Sequence, residues 1–137
     1  MSNIVKEIYL RNYGSEMFYR RDYCDNLVYT EGIMDFQTTL NAHWFVDVVI
    51  SVLAKIIKTY KETSDGFYVI AFKVKKNNKS TLKIYREGYV NGIYNKCIEV
   101  FKQTYLNTNL PVFDYKFYLI LSNTEPIRFT LLLTSEY

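Results

Sequence analysis

The chain has 137 residues, of which 49% are apolar and 18% aromatic, with 14 Tyr and 9 Phe. This length and apolar content suit one domain, residues 1–137, built on one hydrophobic core, and they exclude a disordered chain. The net charge of +3 permits an acidic partner without demanding one.

Residues 2–11 alternate weakly and fit either a short helix or a strand. The segment carries Lys6 and Glu7 and has no apolar signal region, which sets the expectation of a cytoplasmic protein with reduced thiols. Gly14-Ser15-Glu16 reads as a helix start, with Ser15 as N-cap ahead of Met17-Phe18-Tyr19. Leu27-Val28-Tyr29 is a short extended piece. Thr30 is the expected N-cap of a second helix over Glu31–Thr39, with Glu31 near the positive helix end. Asn41 can cap a third helix over roughly 42–61. In that helix Asp47, Ser51, Lys55 and Lys58 form one narrow polar stripe on an otherwise apolar surface, the pattern of a central helix lying on a sheet. Its apolar stretch, Trp44 to Ile57, is too short and too charged to span a bilayer.

A break at Thr63-Ser64-Asp65-Gly66 introduces the strand-rich half. Phe67 to Lys75 alternates, with Tyr68, Ile70, Phe72 and Val74 on one side. Asn77-Asn78-Lys79 makes a turn, Ser80 to Arg86 is the returning strand, and Gly88 to Gly92 allows another turn. Tyr94 to Leu106 is ambiguous. Cys97, Phe101 and Tyr105 fit helical spacing while Ile98 and Val100 fit a strand, and the balance leans to helix. Phe117 to Leu121 is a strand, Ser122 to Pro126 a turn, and Arg128 to Thr134 a closing strand. The expected fold is α+β. An antiparallel sheet of about four to six strands carries helices on one face, with a helical N-terminal half and a strand-rich C-terminal half.

Chemistry-bearing motifs are scarce. His43 and Asp47 stand one helical turn apart, which reads as a polar pair at the rim of a buried helix. No third metal ligand follows at matching spacing, and there is no GxSxG. Cys24 and Cys97 lack a CxxC partner and read as small, partly buried apolar residues. No cofactor is expected, and a non-enzymatic role is. The best surface candidate is the basic hairpin. Lys73 and Lys75 on one strand and Lys83 and Tyr85 on the next can share a face, with Lys76, Lys79 and Arg86 nearby. Cations beside aromatics hold phosphates and stack bases, although a lysine-protected sheet edge has the same composition. Arg20-Arg21, between Tyr19 and Tyr23, reads first as a solvated helix end and second as a candidate anion contact. Tyr13, Tyr89, Tyr94 and Tyr115 lie near predicted loops, where tyrosine serves packing and protein interfaces alike. Glu136 and Tyr137, directly after Leu131-Leu132-Leu133, are expected to dock on the fold.

Three segments carry a resemblance. Tyr29-Thr30-Glu31-Gly32-Ile33, Ala42-His43-Trp44-Phe45-Val46-Asp47 and Leu133-Thr134-Ser135-Glu136-Tyr137 resemble, in order, the Leu-Tyr-Thr-Asp-Gly, Ala-Tyr-Trp-Leu-Ile-Asp and Leu-Pro-Ser-Glu-Tyr segments of the DUF6876 group. Members of that group are small proteins of bacterial, plasmid and phage genomes. His43, Glu31 and Thr134 depart from it, standing where the group tends to have Tyr, Asp and Pro. The resemblance implies a fold and a mobile-element setting, and no activity. In that setting the expectation is a binding protein that blocks or sequesters a host protein or ribonucleoprotein complex, an anti-CRISPR or other defence inhibitor. The alternative is a nucleic-acid or nucleotide-binding module that uses the basic hairpin.

Overall fold

The computed structural model describes residues 3–14, 16–63, 66–105, 107–122 and 127–137, with the side chains of α3 described as far as Lys58. Three helices lie in the N-terminal half: α1 (Asn3–Arg11), α2 (Glu31–Thr39) and α3 (His43–Thr63). Seven strands follow the chain as β1 (Phe18–Tyr19), β2 (Leu27–Thr30), β3 (Phe67–Val74), β4 (Ser80–Val90), β5 (Ile93–Tyr105), β6 (Phe113–Ser122) and β7 (Arg128–Leu133). They form one sheet in the order β1-β2-β7-β6-β3-β4-β5. Every pairing is antiparallel except that of β2 with β7.

The α+β class is as expected, and two features correct the expectation. The sheet has seven strands where four to six were expected, and one of its pairs is parallel. The extra strands are short pieces of the helical half: β1 and β2 extend the sheet beyond β7. The second correction concerns 94–106. Ile93–Tyr105 is a strand, paired with β4 from Ser80↔Tyr105 to Val90↔Ile93. The helical spacing of Cys97, Phe101 and Tyr105 loses to a two-residue turn at Asn91-Gly92, where φ is 52° and 79°. Such a turn returns the chain directly alongside β4. The expected turn over Gly88–Gly92 narrows to this pair.

At the N-terminus the open choice over 2–11 resolves to helix α1. The helix start expected at Gly14-Ser15-Glu16 is not followed by a helix: Phe18–Tyr19 is β1, pairing Phe18↔Thr30 and Tyr19↔Tyr29. Ser15 itself lies outside the described residues, as do Ser64 and Asp65, Leu106, and most of the turn expected at Ser122 to Pro126. Helix α2 has the expected bounds. Thr30 Oγ1 accepts from Ile33 N at 3.3 Å, satisfying one of the first-turn donors. On α3, Asp47, Ser51, Lys55 and Lys58 are all exposed, while Phe45, Val49, Leu53 and Ile56 are buried.

Alternation along β3 separates two faces. Tyr68, Ile70, Phe72 and Val74 point into the core, together with Leu82 and Ile84 of β4, Tyr115, Phe117 and Leu119 of β6, and Leu131 and Leu133 of β7. Helices α2 and α3 cover this side through rings. Phe36 meets Phe117 at 5.1 Å edge-on, and Phe45 meets Phe117 at 4.5 Å and Phe72 at 6.2 Å. The other face carries Phe67, Val69, Ala71 and Lys73 and their cross-strand neighbours.

Candidate functional site

The uncovered face is assembled by strand register. Ala71 of β3 lies opposite Lys83 of β4 and Lys116 of β6, and Lys83 lies opposite Lys102 of β5. The result is a row across four strands: Lys116, Ala71, Lys83, Lys102. Neighbouring strands are about 4.8 Å apart, so like charges stand close along this row. One step along the strands comes Tyr118, Val69, Tyr85, Glu99, and on the other side Asp114, Lys73, Thr81, Thr104. Lys73, Lys102 and Lys116 are exposed and Lys83 half-buried, and among the described residues none of the four is ion-paired. The Lys83 ammonium lies 5.7 Å from the centre of the Tyr85 ring. Beyond these rows Phe67, Tyr118 and Tyr137 form a ring cluster with centroids 5.0 to 5.5 Å apart.

Of the residues expected to form a basic face, Lys73, Lys83 and Tyr85 therefore share it. Lys75 lies just past the end of β3, in the turn, where its amide donates to Lys79 O at 2.9 Å. Arg86 is buried, with its guanidinium donating to Glu87 O at 3.3 Å. Lys102, Lys116 and Tyr118 were missed. Lys102 was hidden by the helical reading of 94–106, and Lys116 and Tyr118 sit on a strand that is β3's neighbour only in space.

Arg20 and Arg21 follow β1, toward the opposite edge of the sheet, and they are not brought to the lysines. Arg20 pairs with Asp25 at 2.6 Å on the surface. Arg21 is committed internally. It donates to Tyr29 Oη at 2.7 Å, Gln37 Oε1 at 3.1 Å, His43 O at 2.9 Å and Asp47 Oδ1 at 3.2 Å, and it stacks over the Tyr29 ring. Tyr23 also donates to Asp47. Burial raises the Asp47 carboxyl, but the bonds from Tyr23 and Arg21 outweigh it and hold the group below the usual carboxylate range. His43 is exposed at the start of α3, and its carbonyl is what Arg21 uses.

Glu136 docks as expected. Its Oε1 accepts from Thr30 Oγ1 at 2.6 Å and from Leu133 N at 3.0 Å, and its Oε2 accepts from Gly32 N at 3.1 Å. The carboxylate thus sits at the N-terminus of α2, where backbone donors and the helix dipole favour negative charge. Glu31 does the same for the chain before β1, its Oε1 accepting from Glu16 N and Met17 N. Tyr137 touches Phe67 and Tyr118 while staying exposed.

Beyond Tyr85, β4 and β5 leave β3 and continue as a two-stranded ribbon. Its tip exposes Tyr89 (68%), Val90 (45%), Ile93 (72%) and Tyr94 (47%). Of the four tyrosines weighed for an interface, Tyr13, Tyr89 and Tyr94 are exposed and Tyr115 is wholly buried. Cys24 is half-buried as expected, whereas Cys97 is exposed, because it sits on the edge strand β5. Among the described residues no group of three His, Cys, Asp or Glu side chains could hold a metal ion, and no helix is long and apolar enough to cross a membrane.

An α+β domain with a covered and an open sheet face is the class that fold and surface define. The chain belongs to the family of unknown function DUF6876, whose model matches residues 5–137. No curated protein and no solved structure matches it.

Proposed function

We propose that this is a binding protein whose working surface is the open sheet face, and that its ligand is single-stranded nucleic acid. The observation that carries the reading is the row Lys116, Ala71, Lys83, Lys102 beside the row Tyr118, Val69, Tyr85. Unpaired cations spaced across strands match a phosphate backbone, and rings one step away offer stacking surfaces to bases. The small Ala71 between the lysines lets a chain approach the sheet. In the mobile-element setting that the resemblance implies, the nucleic acid belongs to a host ribonucleoprotein that the protein occupies or blocks.

The test is fluorescence anisotropy with short labelled DNA and RNA oligonucleotides over a salt series. Binding is expected to weaken steeply with salt, log K falling by about 0.7 per phosphate contact for each tenfold rise. The triple variant Lys83→Glu, Lys102→Glu, Lys116→Glu is expected to abolish it. Unchanged binding in that variant, or no binding by the native chain at low salt, sinks the reading.

The exposed apolar tip of the β4–β5 ribbon favours a second reading, a direct protein partner on the same host complex. Tyrosine and isoleucine at a projecting tip provide the apolar anchor that interfaces use. Capture from host lysate by the native chain and not by Ile93→Asp is expected on this reading; equal capture by both removes the tip from it.

A further inference from the structure

Where the start of α3 meets the first residues of β4 and the last of β5, Trp44, Phe72 and Tyr105 wall a slot of about 250 Å³. The walls stand steeply to one another, Trp44 to Phe72 at 5.8 Å and 64°, Phe72 to Tyr105 at 6.3 Å and 67°. A flat guest can lie on one ring while its rim meets the edges of the others. Trp44 is held in place: its Nε1 donates to Asn109 Oδ1 at 3.0 Å, and Asn109 Nδ2 donates to Asn41 O at 2.9 Å. The aromatic wall is thus set before any ligand arrives.

Two polar groups at the slot lack hydrogen-bond partners among the described residues. Ser80 lines it and is 1% exposed, and among the described residues its hydroxyl has no hydrogen-bond partner. A hydroxyl removed from water without an acceptor is a costly arrangement, relieved when a ligand supplies the bond. Asn107 also lines the slot, exposed, with no hydrogen-bond partner among the described residues for its carboxamide. A carboxamide offers a donor and an acceptor side by side, the complement of a heteroaromatic edge. Among the described residues no carboxylate lines the slot, and the chain's net charge is +3, which disfavours an ammonium guest. The volume lies below the roughly 300–1,000 Å³ of sites for drug-sized ligands, which limits the guest to a single ring system.

We propose that the slot walled by Trp44, Phe72 and Tyr105 binds one nucleobase, with Asn107 and the Ser80 hydroxyl meeting its polar edge. Lys79 immediately precedes Ser80, in the turn that joins β3 to β4, and is the cation proposed for a flanking phosphate. The inference rests on the nucleic-acid reading for the source of the base, and it is tested apart from it.

Trp44 is the chain's single tryptophan, so its fluorescence reports on the slot. The full chain is titrated with adenosine, guanosine, cytidine and uridine. At least one is expected to quench Trp44 saturably in the millimolar range. Ser80→Ala and Asn107→Ala are each expected to weaken it roughly three- to tenfold, the effect of one hydrogen bond. Circular dichroism checks both folds, and exposed Asn107 gives a variant whose fold is not at risk. The triple lysine-to-glutamate variant is expected to keep nucleoside quenching. Quenching by nucleosides without oligonucleotide binding keeps the slot and discards the sheet face. No quenching by any nucleoside, quenching indifferent to Asn107→Ala, or saturable quenching by choline in place of nucleosides overturns the slot.

Discussion

Two regions of this molecule handle charge in opposite ways. Around α2 the charged side chains satisfy one another and the backbone: Arg21 serves Tyr29, Gln37, His43 and Asp47, and Glu136 serves Thr30, Gly32 and Leu133. On the open face of β3, β4, β5 and β6, four lysines stand on adjacent strands and none is ion-paired among the described residues, Asp114 opposite Lys73 included. The three segments that resemble the family all fall in the first region. Thr30 and Gly32 meet Glu136 across more than a hundred residues of chain, and Tyr29 and Asp47 meet through Arg21. Apart from Trp44, which walls the slot, that signature therefore describes how the fold is fastened, and the phosphate-binding chemistry has to be sought on the second region.

Breaking the first region tests this division most sharply. Arg21→Ala removes four hydrogen bonds at once and leaves Oε1 of the buried Gln37 without the Arg21 donor. A loss of about 2–4 kcal/mol is expected in denaturant unfolding, since bonds to charged groups are the stronger kind and the partners left behind remain desolvated. Oligonucleotide binding at a temperature where the variant is folded is expected to be unchanged. A loss below about half a kcal/mol, the usual range of a plain surface change, would return Arg21 to the candidate anion contacts.

The Glu136 contact gives the next largest effect. A methyl group at Gly32 would collide with the Glu136 carboxylate, so Gly32→Ala drives the carboxylate out of its place at the helix end. Glu136→Ala removes it outright. Each change is expected to cost about 1–3 kcal/mol by leaving Gly32 N and Leu133 N without their acceptor. Because both break the same contact, the double variant is expected to cost clearly less than the sum. Additive losses would show that Gly32 matters for some other reason.

Acid separates the regions more gently. Arg11 binds Asp35 through two bonds of 2.6 Å, and with Thr39 and Asn12 it holds that carboxyl below the usual range. Asp47 is held low against burial by Tyr23 and Arg21. A carboxyl with a depressed folded pKa contributes stability above its unfolded value of about 3.9, and that contribution is lost as pH falls through the folded one. Thermal stability is thus expected to fall from about pH 4 downward. Asp35→Asn should flatten part of that fall, though only modestly because Arg11 is half exposed and the pair is screened by water. An acid limb unaltered in that variant would show that the Arg11–Asp35 pair does not contribute.

Much of the fastening was legible in the chain, and the surface was less so. Thr30 before Glu31 is a capping signal local in sequence, so α2 was found to the residue. The polar stripe of α3 is equally local. Residues 94–106 failed because a long edge strand, exposed on much of both sides, shows neither helical nor alternating burial. Its apolar residues then mimic a helix by chance. Glu136 was expected to dock, but its partners at Thr30 and Gly32 are set by the parallel pairing of β2 with β7, which no local pattern announces. The lysine row failed in the same way. Lys83 and Lys73 share a hairpin, whereas Lys116 joins them through β6 and Lys102 through a strand that was read as helix.

The smallest effect on stability is expected where the binding effect is large. Lys83→Ala, Lys102→Ala and Lys116→Ala each remove one of a row of like charges. They touch no ion pair among the described residues, so each is expected to change unfolding free energy by less than about 0.5 kcal/mol. Relief of repulsion between Lys83 and Lys102, directly opposite across β4 and β5, makes a slight gain the expected sign for those two. If the row holds phosphates, each substitution should weaken oligonucleotide binding evenly across sequences and lower the salt slope by about one. Exchanging Tyr85 for Leu should weaken binding and leave that slope in place, because stacking carries no counterion release. A lysine variant that loses affinity at an unchanged slope would mean the row shapes the sheet rather than contacting the backbone.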